Sequence, residues 1–447
     1  MKQNLTQGIN SKLFETQKQT IAPGLYKAGS QYKQLIASWD DLLAANVVTE
    51  DGHADFGDGI YPTCYAADLL AGALVLPEGI TELEDYAYSA CDRLTDIILP
   101  QSLTSIGKYA FDYCEELTEV IIPDNVTSIG ESAFEGSIHI EKVTIGPKVS
   151  RFGDFVFANC IGIKSVMIKE GASVMGPWLF YNCKNLTDLN MPSTITTICE
   201  GAFGCCRRLS SINIPAAVTI IKPRAFVACE GVKSITVDAN NTVYHSKGNC
   251  LIETNSKTLV LACANSIIPE DGSVTEIGDY AFCTTSEITS IKFPNGIAGI
   301  GEGAFSRTKL ASLFIPNSIR SIGEYAFSDC CNLATITFQK GSNLAVIGDA
   351  AFNGCLSLVN IELPDSVVSL GSHAFGDCSM LSSISIGTEK SNLAAIGGSA
   401  FYNCQKLSTL KFAGHSDEWR VVALSEDWKN SSLLNHIDCT DSSISFV

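Results

Sequence analysis

An aromatic residue returns at a nearly fixed interval along this chain, and this repetition limits the folds open to it. The first seven rings, from Tyr88 to Phe226, are spaced 23 residues apart without exception, and the later intervals are 56, 23, 22, 25, 23 and 26 residues. The thirteen ring positions are Tyr88, Phe111, Phe134, Phe157, Phe180, Phe203, Phe226, Phe282, Phe305, Phe327, Phe352, Phe375 and Phe401. Such a period predicts stacked copies of one small unit, because one copy cannot bury its apolar face alone.

Each copy follows the pattern LxxIxIPxxVxxIGxxAFxxC, as in LTEVIIPDNVTSIGESAF. In Ile-x-Ile we expect the outer residues in the core and the middle one in solvent, because successive strand side chains point to opposite faces. Proline then ends the strand, and glycine allows a tight bend. We expect the Ala-Phe-x-x-Cys segment to form a short helical turn that places its ring in the core.

The pattern predicts an α/β solenoid, a right-handed leucine-rich-repeat superhelix of about 13 turns with a parallel β-sheet. We assign residues 1–70 to an N-terminal region and cap, 71–412 to the solenoid, and 413–447 to a C-terminal cap. The 56-residue interval contains 33 extra residues, and its alternating apolar runs predict a β-hairpin or small meander inserted at about 238–270.

The repeat unit resembles the BspA-like, or Treponema pallidum type, leucine-rich repeats over about residues 71–412. The insert, with ITVDANNTVY followed by CLIETNSKTLVLAC, and the tail HSDEWRVVALSEDWKNSSLLNHIDCTD also resemble features of members from gut bacteria. The resemblance implies a non-enzymatic protein-binding or adhesion module at a bacterial cell surface or in secreted form. It implies protein partners, such as host extracellular matrix or another surface protein, and it carries over no catalytic residues.

Composition and motifs narrow the function further. The formal net charge is -18 and no cluster of Lys and Arg appears, which argues against nucleic acid as a partner. No apolar run is long enough to span a membrane, and no catalytic, phosphate-binding or metal-binding motif occurs, so we predict no enzyme activity and no cofactor. The first thirty residues also lack the apolar run of a signal peptide, which favours an alternative, an intracellular protein-interaction scaffold in the cytoplasm.

Cysteine follows the same period as the rings. Ten turns place it three residues after the ring, while Ser137, Thr285 and Thr308 occupy the other three turns. We expect an interior ladder in which each thiol packs as a small apolar group and donates weakly to a carbonyl. Because stacked Cα atoms about 5 Å apart lie within disulfide reach, oxidation of the ladder remains an alternative. In the insert, Cys250 and Cys263 either pair or pack.

A partner is expected on the strand face, where the middle residue of each Ile-x-Ile points to solvent. There Ile98, Ile121 and Met167 form a candidate contact patch, and Phe314 is a second, isolated anchor. Three acidic residues border the patch: Asp96, Glu119 and Asp188. The alternative is that β-branched residues merely favour strands here, or that a cap covers them.

Overall fold

The computed structural model describes residues 72–76, 78–282, 285–425, 427–429 and 433–445, together with the backbone of two antiparallel strands, Leu25–Ala28 and Gln31–Gln34. The N-terminal region predicted over residues 1–70 otherwise lies outside the described residues. Packing divides the chain into two compact units, Met1–Gly231 and Val232–Val447, so the division falls inside the predicted repeat region, just before its insert.

In the first unit, every turn contributes one strand to a strand face and a two-residue strand to a rear face. The strand-face strands are Gly72–Val75, Leu94–Ile98, Glu119–Ile121, Lys142–Ile145, Ser165–Ile168, Asp188–Asn190 and Ser211–Ile214. The rear-face strands are Glu82–Leu83, Ser105–Ile106, Ser128–Ile129, Arg151–Phe152, Val174–Met175, Thr197–Ile198 and Ile220–Ile221. Strands of neighbouring turns are parallel, and Val143 pairs with Val120 on one side and Val166 on the other. Equivalent repeat positions therefore lie side by side.

The second unit repeats this plan around an insert and a C-terminal cap. Its strand-face strands are Ser234–Val237, Ser312–Ile315, Thr335–Phe338, Asn360–Leu363, Ser383–Ile386, Thr409–Phe412, His436–Asp438 and Ser443–Ser445. Its rear-face strands are Glu276–Ile277, Gly299–Ile300, Ser321–Ile322, Val346–Ile347, Ser369–Leu370, Ala395–Ile396 and Ala423–Leu424. The insert forms an antiparallel meander of three strands, Tyr244–Lys247, Cys250–Glu253 and Thr258–Leu261.

The predicted solenoid is confirmed, with about 16 turns rather than about 13. The additional turns lack the Ala-Phe pair that the count rests on. In the insert, Thr258–Leu261 pairs in parallel with Glu276–Ile277 and so acts as a turn of its own. In the C-terminal cap, the Phe401 N–H donates to the Trp428 carbonyl at 3.2 Å, as it would to a following repeat.

The repeated rings build the core of each unit. In the first unit, Tyr88 and six phenylalanines stack with centroid distances of 4.9 to 5.9 Å between neighbours. In the second unit, the six rings from Phe282 to Phe401 stack at 4.6 to 6.0 Å. All of these rings are buried, so each turn covers the apolar face of its neighbour.

The segment around each ring differs from the predicted helical turn. In the described residues the one helix is Ser416–Arg420 in the C-terminal cap. The residues two before and two after a ring instead have left-handed backbone, as at Tyr109 (φ 54°) and Tyr113 (φ 51°). This conformation points N–H groups at carbonyls of the next turn: Tyr109 to Glu131 (2.9 Å), Phe111 to Ala133 (2.7 Å) and Tyr113 to Glu135 (2.7 Å). These bonds between turns replace the i to i−4 bonds of a helix.

Candidate binding surface

The strand face of the first unit carries apolar side chains that the core does not use. In Val120-Ile121-Ile122 the two outer residues are fully buried, as the alternation predicts, while Ile121 is 52% exposed. At the equivalent position of other turns, Ile98 is 39% and Met167 54% exposed. We call Ile98, Ile121 and Met167 the apolar row.

Strand pairing fixes how Ile121 and Met167 lie relative to each other. Ile121 pairs with Thr144, and Thr144 pairs with Met167. One half-buried threonine therefore separates Ile121 from Met167. Ile98 ends the strand Leu94–Ile98, one turn before Ile121. One sheet thus holds the strands of Ile121 and Met167 in register, while Ile98 belongs to a separate strand pair with Gly72–Val75.

The three acidic residues predicted to border the patch differ in exposure, and a lysine lies beside one of them. Glu119 and Asp188 are exposed, whereas Asp96 is half-buried and its Oδ2 accepts a hydrogen bond from the Thr95 hydroxyl at 2.7 Å. Lys142 pairs with Glu119 in the sheet and places a positive charge inside this border. Sequence reasoning missed Lys142, although the same 23-residue spacing links it to Glu119. The border therefore offers charges of both signs.

Phe314 lies in the second unit and is 52% exposed between the buried Leu313 and Ile315. It pairs with Thr337 of the next turn. The structure places it as an exposed aromatic side chain on the strand face of that unit, as predicted.

Cysteine forms the expected interior ladder. The sixteen described cysteines are all free, including Cys250 and Cys263, which pack without bonding to each other. The thiols of the ladder donate to the carbonyl of the preceding ring residue, for example Cys160 to Phe134 at 3.0 Å and Cys404 to Phe375 at 3.0 Å. Burial raises the pKa of the Cys160 and Cys183 thiols, and it raises that of Cys330 to about 11. The ladder is a structural element and offers no nucleophile.

Threonine departs from this ladder. The Thr308 hydroxyl donates to the Phe305 carbonyl of its own turn at 2.8 Å, and Thr285 bonds to Phe282 in the same way at 3.4 Å. Only Ser137 reproduces the cysteine bond, because it has the same unbranched length.

A family model described as a BspA type leucine rich repeat region matches residues 60–187, 152–271, 262–344 and 331–426, and so spans most of the chain. The chain belongs to the BspA-type leucine-rich repeat family. This family implies a protein-interaction or adhesion role, and no catalytic family is indicated.

Solved structures of bacterial proteins are similar to this BspA-type chain. A leucine-rich cell surface protein from Faecalibacterium prausnitzii is 25% identical, with a TM-score of 0.58, and the match covers 90% of this chain and 98% of that one. A leucine-rich repeat protein from Eubacterium ventriosum is 26% identical, with a TM-score of 0.61, and the match covers 81% and 91%. Comparison with curated proteins gives no match.

Aromatic side chains at the surface of this BspA-type solenoid escaped the sequence prediction. Tyr86 and Tyr109 stack at 4.9 Å, and Phe155 and Trp178 stack at 5.9 Å, on the outer side of the segments that hold the core rings. All four lie two residues before a ring, so the 23-residue period would have revealed them. Within each pair the rings cover one another, so these contacts stabilise the packing of neighbouring turns.

Within the residues described above, no helix has the length and apolar character needed to cross a lipid bilayer. The same residues bring together no group of three or more His, Cys, Asp or Glu side chains that could hold a metal ion.

Proposed function

We propose that this chain is a non-enzymatic adhesion module of a bacterial cell surface or secreted protein, and that the apolar row receives a protein partner. The exposure of Ile98, Ile121 and Met167 on the strand face carries the proposal. The apolar residues that flank two of them in the same strands, Val120, Ile122, Val166 and Ile168, are buried. Family membership supports the protein-binding role, and the similarity to a Faecalibacterium prausnitzii cell surface protein supports the location. A host extracellular-matrix protein or another surface protein is the expected partner.

The energetics of the row favour docking. Removing the exposed part of each of the three side chains from water contributes roughly 1 kcal/mol. The sheet already fixes the backbone, so little order is lost when a partner binds. Glu119, Lys142 and Asp188 then supply the polar rim that surrounds the apolar centre of a typical interface.

Binding of the purified chain to a panel of extracellular-matrix proteins tests this function. We expect Ile98→Asp combined with Ile121→Asp to leave the fold intact and to weaken binding about tenfold or more. The matched control is Val346→Asp with Val368→Asp, which changes two valines of similar exposure on the rear face of the second unit. Equal binding by the two double variants would contradict the role of the row.

The second candidate is an intracellular interaction scaffold, which the free state of the described cysteines favours. Burial, however, keeps the ladder thiols neutral and out of reach of oxidants, so a reduced ladder fits an exported protein as well. A parallel panel of cytosolic proteins separates the two candidates. Binding there, with none to the matrix panel, would replace the first candidate by the second.

A further inference from the structure

Two loops of the second unit are longer than the ordinary connection and flank a cavity of about 380 Å³. The ring intervals that contain them are 25 and 26 residues instead of 23. The first loop, 339–343, follows the strand Thr335–Phe338, and the second, 387–392, follows Ser383–Ile386. The strand Asn360–Leu363 lies between those two strands and contributes Glu362 to the cavity wall. The additional residues therefore enclose space that a regular turn leaves open.

The first loop is fastened at both ends to one residue of the preceding turn. The Gln339 side-chain oxygen accepts the Asn317 N–H at 3.0 Å, and the Asn343 amide donates to the Asn317 carbonyl at 2.8 Å. Because both ends are held, the wall formed by Lys340, Gly341 and Ser342 keeps its place without a ligand.

The opposite wall is fastened through Asp365. Its Oδ1 accepts the Thr388 N–H at 2.6 Å, the Thr388 hydroxyl at 3.0 Å and the Glu389 N–H at 3.3 Å. These three bonds tie the second loop to the turn before it. Side-chain bonds thus hold the backbone of both walls in place, which lowers the ordering cost of binding a ligand.

Two opposite charges line this cavity without neutralising each other. Both side chains are exposed. Among the described residues, neither the Lys340 ammonium nor the Glu362 carboxylate makes a hydrogen bond or an ion pair. Elsewhere in this unit a surface lysine reaches the acid of the adjacent turn, as Lys309 does to Glu287 at 2.8 Å. The two charges in the cavity are therefore available to a ligand.

The rest of the lining is mixed. Phe338 and Pro364 are half-buried and give the cavity apolar surface, whereas the Ile336 side chain is buried in the core. Hydroxyl groups of Thr337 and Ser342 supply donors and acceptors around this apolar surface. The volume of the cavity lies near the lower end of the usual range of about 300 to 1,000 Å³ for small-molecule sites. Its mixed lining suits a ligand that carries both polar and apolar groups.

We propose that this cavity binds a small zwitterionic ligand of dipeptide size. Its ammonium group lies at Glu362, its carboxylate at Lys340, and an apolar side chain rests on Phe338 and Pro364. A ligand with both charges makes a charge-assisted contact at each end, whereas a ligand with one charge makes only one such contact, so a ligand with both charges is favoured. A neutral saccharide uses neither charge. This site is separate from the apolar row and does not depend on the proposed adhesion function.

Titration of the full chain with four probes, followed by ligand-detected NMR, tests the proposal. The probes are alanyl-leucine, its N-acetylated form, its C-terminal amide and the neutral disaccharide cellobiose. We expect alanyl-leucine to bind at least about tenfold more tightly than either blocked form, because each blocked form loses one charge-assisted contact. Tighter binding of cellobiose than of alanyl-leucine, binding of either blocked form as tight as that of alanyl-leucine, or no binding of alanyl-leucine would overturn the proposal.

Two variants test which residue binds each charged end of the ligand. Glu362→Gln should remove the preference for a free amino group and keep the preference for a free carboxylate, while Lys340→Met should do the reverse. The matched control is Lys411→Met, an exposed residue on the same strand face that does not line the cavity. Loss of binding in the control to the same extent as in Lys340→Met would show that general charge, and not this cavity, holds the ligand.

Discussion

The Ser137 hydroxyl donates a hydrogen bond to the Phe111 carbonyl at 3.0 Å and accepts one from the Cys114 N–H at 3.1 Å. In other turns a cysteine thiol occupies this position, as Cys160 does when it donates to the Phe134 carbonyl. Serine and cysteine thus perform the same task in the interior, which is to satisfy a buried carbonyl between two rings.

Removing this hydroxyl tests that task. Ser137→Ala leaves the Phe111 carbonyl and the Cys114 N–H without their bonds, and we expect the free energy of unfolding to fall by about 1–3 kcal/mol. Ser137→Cys restores the residue that most turns carry and should lose less. Urea unfolding of both variants measures the difference. Equal losses would show that side-chain volume, and not the hydrogen bond, decides this position.

Burial of the ladder predicts which thiols react in the folded protein. Cys331 is exposed, whereas Cys183 and Cys355 are buried and burial raises the pKa of their thiols well above the ordinary value. We expect iodoacetamide to label Cys331 in the native chain and to label the ladder only after denaturation. Peptide mass spectrometry gives the labelled positions. Rapid native labelling of Cys183 would be inconsistent with a closed ladder.

The same burial predicts sensitivity to alkaline pH. Burial raises the pKa of the Cys330 thiol to about 11, while the pKa of a cysteine in the unfolded chain is about 8.5. Below about pH 8.5 both states hold the proton and the contribution to stability is complete. As the pH rises towards 11, the unfolded state ionises first, and stability falls by up to about 1.4 kcal/mol per pH unit for this thiol.

Cys330→Ser provides the matched comparison, because serine does not titrate in this range and can still donate to the Phe305 carbonyl that Cys330 contacts at 3.2 Å. We expect the variant to lose less stability than the wild type between about pH 8 and about pH 10.5. The measurement is the urea midpoint at both pH values. An identical loss in both proteins would rule out a contribution from this thiol.

Close approach of the backbone explains the glycine that follows the rear-face strand. A Cβ at Gly130 would lie 2.4 Å from the Lys108 nitrogen of the preceding turn, so Gly130→Ala should force two turns apart and cost about 1–3 kcal/mol. Gly398→Ala is the control, because its Cβ would meet only the Ser425 Cβ, at 3.8 Å. Comparison of the melting temperatures of the two variants measures this cost. A Gly130→Ala variant as stable as the control would refute close packing at this bend.

Sequence periodicity predicted those parts of the structure that depend on alternation and spacing. The burial of Val120 and Ile122, the exposure of Ile121, the ring stacks and the thiol ladder all follow from the repeat. The segment around the rings did not, because left-handed residues such as Tyr109 are stabilised by bonds to the next turn, which a local pattern does not contain. The cavity also escaped prediction, since it arises from short additions to two connections far apart in sequence.

Site-specific photo-cross-linking tests most directly whether the apolar row contacts the partner. A photoreactive phenylalanine analogue is placed at position 121 or 167 of the row, or at position 346 on the rear face as the matched site. Each protein is irradiated with the extracellular-matrix protein that it binds. We predict cross-links from positions 121 and 167 and none from position 346. Cross-links from position 346 without any from positions 121 and 167 would show that the rear face, and not the apolar row, contacts the partner.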